Sequence, residues 1–158
     1  MQKNKENKGK KRLKVAVCGI GNPMRGDDGV GPLAVTMLRK EITSKDVLLL
    51  DCGTTPENYL GKVEKFSPGR VIIIDAVEMG TRPGEFAIVD VQKIKGLLIS
   101  THKIPVRLFV EYLDKKLKVE IVFIGMQPKT IVFGSGMSGE CESAIGDMLF
   151  VIKEKILT

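Results

Sequence analysis

A chain of 158 residues, 43% hydrophobic and 28% charged, has the make-up of a single globular domain. The formal net charge of +6 is misleading: seven basic residues and one acid, Glu6, fall in positions 1–14, so residues 15–158 hold 18 bases and 18 acids and are neutral. A basic nucleic-acid-binding body is thereby excluded, and no apolar run approaches the ~20 residues of a membrane span. No apolar segment follows the basic start before Leu13, so no secretory signal is expected. Cys18, Cys52 and Cys141 are odd in number and far apart, which fits neither a disulfide framework nor a zinc knuckle. The expected home is the cytoplasm. Residues 1–13 read as a disordered basic tail and 14–158 as one domain.

Along that domain, "LKVAVCGIG" (13–21) is a β-branched apolar run ending in glycine, a buried strand. A glycine-rich loop, "GNPMRGDDGVGP", follows. Residues 32–42 then space Leu33, Ala34, Met37, Leu38 and Ile42 as a helix does, with Pro32 in its first turn. A second strand is expected over 46–53, a second helix over 56–66, and a third strand, apolar enough to be covered on both faces, over 70–77. Residues 82–90 read as a turn and an edge strand, 104–117 as a helix, 118–128 as a strand and 139–157 as a closing helix. This alternation predicts a single three-layer α/β domain: a mostly parallel, twisted sheet with helices on both faces.

In such sheets ligands bind beyond the carboxyl ends of the strands. Asp27 and Asp28 follow the first strand, Asp51 ends the second, and Asp75 ends the third. His102, the only histidine, precedes the 104–117 helix. Taken singly, each has an ordinary role: Asp28 as a helix cap, Asp75 as a turn aspartate, His102 as a loop filler. Taken together, two carboxylates and an imidazole make a mixed oxygen and nitrogen donor set suited to a divalent ion, with coordination positions left open. Gly19-x-Gly21 after a strand also invites a dinucleotide reading, but Met24 stands where the third glycine belongs. Two acids at the following helix start would oppose a pyrophosphate. Gly26, Gly29 and Gly31 are expected to allow tight turns in the loop. Cys18 and Cys141 are expected to pack in the core, and no serine nucleophile motif is present.

Five segments in this order, "GIGNPMRGDDGVGP" (19–32), "DCGTTPEN" (51–58), "IIIDAVEMGTRPGE" (72–85), "STHKIP" (100–105) and "IGMQP" (124–128), resemble the hydrogenase maturation endopeptidases. The likeness runs from about residue 14 to the end. It is strongest to the branch that processes formate-hydrogenlyase-type nickel–iron large subunits. It implies a three-layer α/β protease that removes a short carboxy-terminal extension from the large-subunit precursor after nickel insertion. It also implies that nickel, carried by the substrate, is the recognition element, and that Asp28, Asp75 and His102 contact it. No organic cofactor, nucleic acid or membrane is implied, and a monomer is expected. Asp28 is the candidate water-activating group. Some branches carry glutamate where Asp28 stands, and nothing carries over to the basic tail. "GMQP" and "TRPGE" are expected to shape the substrate groove. Two rival readings stay open at this point: a non-enzymatic nickel-sensing chaperone on the same fold, and a dinucleotide-binding domain.

Overall fold

The computed structural model describes residues 11–96 and 104–158. Five strands, β1 (Val15–Ile20), β2 (Val47–Gly53), β3 (Arg70–Ala76), β4 (Phe86–Val89) and β5 (Glu120–Met126), form one sheet in the order β2-β1-β3-β5-β4. All pairs are parallel except β4 on β5. The helices are α1 (Val30–Arg39), α2 (Leu60–Phe66), α3 (Val91–Gly96), α4 (Ile104–Tyr112) and α5 (Gly139–Leu157).

Strand alternation sorts the core into two layers. Val15, Val17, Ile72, Ile74 and Ile124 face one side and pack with Leu38 of α1 and Met148 and Ile152 of α5. Ala16, Cys18, Val71, Ile73 and Phe123 face the other and pack with Val63 of α2 and Phe109 of α4. The three-layer α/β fold expected from the sequence is the fold observed. All three cysteines are free and buried, as expected for Cys18 and Cys141.

Several boundaries differ from the sequence reading, the first helix running Val30–Arg39 rather than 32–42. The second helix opens with a 3-10 turn, Pro56–Tyr59, before α2. The 104–117 helix is regular only to Tyr112 and then widens into a π turn, Leu113–Leu117, which ends at Lys118 in the left-handed region (φ 52°). The short α3 was read as part of no element, because six residues are too few to show a helical period.

The first turn of α1 lies directly on the sheet. A Cβ on Gly31 would stand 2.4 Å from the Ile20 carbonyl oxygen and 2.5 Å from that of Ile74. Gly31 therefore serves close approach of helix to strands, not the loop turn expected of it. Gly31→Ala is expected to push α1 off β1 and β3 and to cost about 3 kcal/mol. A thermal melt checks this: Tm should fall by roughly 6–12 °C.

Candidate active site

β1 lies between β2 and β3, and the chain leaves it first to one side and then to the other. That reversal makes the carboxyl ends of β1 and β3 a topological switch point, the usual ligand position of an open α/β sheet. Two of the expected site residues meet this edge. Asp75 is the penultimate residue of β3, in register with Gly125 of β5, and is buried. Asp28 lies in a 3-10 turn, Gly26–Gly29, that leads into α1 and is half-buried. Its Oδ2 accepts the Asn22 N–H at 2.9 Å, which clips the turn to the residues leaving β1. Because Gly31 contacts the Ile74 carbonyl, the turn bearing Asp28 and the strand end bearing Asp75 belong to one packed unit.

The loop closes on itself. Gly21 has φ +140°, and a Cβ there would meet the Asp28 carbonyl oxygen at 1.8 Å. The Gly21 N–H donates to the Gly53 carbonyl at 2.8 Å, tying the loop to the end of β2. Space that a phosphate cradle would need is filled by protein backbone. Asp51, where a ribose-binding acid was conceivable, instead accepts the Gly53 N–H at 3.0 Å.

Asp27 and Asp28 are neighbours with opposite duties. A 3-10 turn rotates successive residues by about 120°, so Asp28 turns away from the buried direction of Asp27 and stays half-buried. Asp27 is fully buried. Its carboxylate accepts the N–H groups of Lys129 (2.8 Å), Thr130 (3.2 Å) and Ser138 (2.7 Å) and the Ser138 hydroxyl (2.9 Å). Burial pushes its pKa up, but these bonds outweigh burial and hold it below the usual carboxylate range. Ser138 in turn caps α5, its Oγ accepting the Cys141 N–H at 3.3 Å. Asp27 thus fastens the glycine-rich loop to residues 129–138 and to the start of α5. Sequence reasoning left it unassigned, since only the turn's geometry separates its direction from that of Asp28.

Gln127, within the expected groove segment, is likewise a structural tie. Its amide oxygen accepts the Met79 N–H at 2.6 Å and its amide nitrogen donates to Glu78 at 2.9 Å, fixing the chain that leaves β3. Among the described residues no three histidine, cysteine, aspartate or glutamate side chains gather as a metal cluster. His102, the expected third member, lies outside those residues, as does most of the basic tail. No helix among them is long and apolar enough to cross a membrane.

A parallel α/β domain with buried and half-buried carboxylates at its switch point is built to hold a polar reaction centre over a rigid floor. The chain belongs to the hydrogenase maturation protease family, whose pattern matches residues 32–155. It is 33% identical over 132 residues to the hydrogenase 3 maturation protease of Escherichia coli, covering 83% of each protein. It superposes on the crystal structure of a nickel–iron hydrogenase maturation protease from Thermococcus kodakarensis with a TM-score of 0.83 at 36% identity, covering 93% of this chain and 94% of that one. The solution structure of an endopeptidase from Escherichia coli gives 0.79 at 28% identity, with 90% of each chain covered. The protein is a hydrogenase maturation endopeptidase, and both rival readings fall away.

Proposed function

We propose that this endopeptidase removes a carboxy-terminal extension from a nickel–iron hydrogenase large-subunit precursor, and that it reads nickel carried by that precursor through Asp28, Asp75 and His102. The observation that supports this reading most is the packing of the Asp28 turn onto the end of β3, where Asp75 stands. Carboxylate oxygens and an imidazole nitrogen are donors that a divalent nickel ion accepts. Three such groups can add to the coordination of a substrate-bound ion without supplying a closed cage that would strip it. A precursor without nickel forfeits these bonds, and a difference of a few kcal/mol is enough to gate docking strongly.

Asp28 is half-buried, so one of its oxygens can serve Asn22 while the group faces substrate. It is the residue assigned to activate water, and Asp75, buried at the strand end, is assigned to contact the metal. The setting proposed for the reaction is the cytoplasm, with the enzyme acting as a monomer.

The test is a cleavage assay on the purified precursor with and without inserted nickel. Product is expected only with nickel, and His102→Ala is expected to lose it. Equal cleavage of both precursors would overturn nickel recognition, and full activity in His102→Ala would remove the histidine from the site.

A further inference from the structure

Met24 and residues 131–133 place four large apolar side chains in solvent beside the Asp28 loop: Met24 is 61% exposed, Ile131 42%, Val132 65% and Phe133 66%. They belong to two segments held together by backbone. The Gly134 N–H donates to the Met24 carbonyl at 2.8 Å, and Arg25 Nε donates to the Ile131 carbonyl at 3.2 Å. The same Met24 takes its own N–H to Asn22, whose N–H binds Asp28. The apolar rim is therefore continuous with the catalytic loop through three successive hydrogen bonds.

Nor is the rim a slack loop tip. Its base is fastened by Asp27, and Ser135 Oγ donates to the Val132 carbonyl at 2.7 Å across the turn. Residues 131–136 carry no charge. Of the two cations beside it, Lys129 is paired with Glu140 at 2.7 Å, while Arg25 donates to the Ile131 carbonyl and keeps its charge at the rim's edge. Four exposed apolar side chains on two segments held together by backbone suit a protein-binding surface.

We infer that Met24, Val132 and Phe133 form the docking rim for the folded body of the precursor, next to the segment that is cut. This rests on the proposed substrate. Its basis is continuity: a protein substrate whose cleaved segment reaches Asp28 must bring its adjoining surface over the loop that carries Met24. The occupant that suits the rim is an apolar, uncharged surface patch on the precursor. Specificity for the whole protein then resides in the rim, while the carboxylates read the metal.

The experiment is steady-state cleavage of nickel-loaded precursor by the full chain and by a Val132→Ser/Phe133→Ser double variant, with Phe150→Ser as a control. Phe150 is 65% exposed on α5, away from the loop. The double variant should raise KM about tenfold and change kcat less than about twofold, the signature of lost binding common to ground and transition states. Phe133→Ser alone should fall between. A melt within about 2 °C of the parent would show that the fold is kept, as expected for exposed sites. An unchanged KM, with the parent chain active, would overturn the rim while leaving the proposed function intact. Sedimentation showing a parent dimer that the double variant dissociates would also overturn it, assigning the rim to a second copy. Failure of the parent to cleave any nickel-loaded precursor would bring down the proposed function and the rim together.

Discussion

Asp75→Asn is expected to lower cleavage of a nickel-loaded precursor about a hundredfold while leaving Tm where it was. The substitution keeps the shape of a buried side chain at the end of β3 and removes its charge. An amide is less costly to bury than a carboxylate and keeps one acceptor oxygen, so Tm should change little. On the proposed reading the loss is charge-assisted bonding to the ion, on the scale of about 2–3 kcal/mol, which corresponds to about a hundredfold in rate or affinity. Asp28→Asn separates the two duties assigned to the carboxylates. The amide oxygen can still accept the Asn22 N–H, so the loop is kept. A neutral amide cannot take a proton from water, so kcat should collapse even at saturating precursor. Asp75→Asn should instead act on precursor affinity, measured by titrating nickel-loaded precursor against each variant. A wild-type kcat in Asp28→Asn would remove it as the water-activating group.

The outline of this fold was legible because each strand carries a strong local signal. "VAVC" and "VIIID" are runs that a doubly covered parallel sheet buries fully, while "LLLD" forms the partly buried edge strand β2. α5 was placed to the residue, since Ser138 caps it and its apolar period is long. Legibility failed where tertiary contact decides. The π turn after Tyr112 follows from packing that no propensity records, and Gly31 looked like a loop residue because its close contacts with Ile20 and Ile74 come from distant segments. In the site, Asp28 and Asp75 could be placed at one edge by counting strands. The role of Asp27 could not, because its partners lie more than 100 residues away, at Lys129, Thr130 and Ser138.

Asp27 carries the larger stability effect. Asp27→Ala removes a buried carboxylate and leaves three backbone N–H groups and a hydroxyl without their acceptor in a part-buried setting. Each such loss costs about 1–3 kcal/mol, and some water entry will soften the sum, so a destabilisation of about 4 kcal/mol is expected. In a melt this is a fall of roughly 8–16 °C. Asp27→Asn should lose less, since one oxygen remains, though its NH₂ must then face donors. The pH dependence has a definite sign. Asp27 has a depressed pKa in the folded chain, so its stabilisation is full above the ordinary aspartate value of about 4 and is lost as pH falls through the depressed value. The stability gap between parent and Asp27→Asn should accordingly be constant near neutrality and narrow in acid; a gap that widens as pH falls would contradict the assignment. Activity should suffer as well, although Asp27 touches no substrate. Releasing the 26–29 turn from residues 129–138 lets Asp28 drift, and a misplacement of about 1 Å can cost on the order of a hundredfold in rate. Cleavage measured well below the variant's Tm tests this: a folded Asp27→Ala with the parent's kcat would show that the 129–138 anchor serves stability alone.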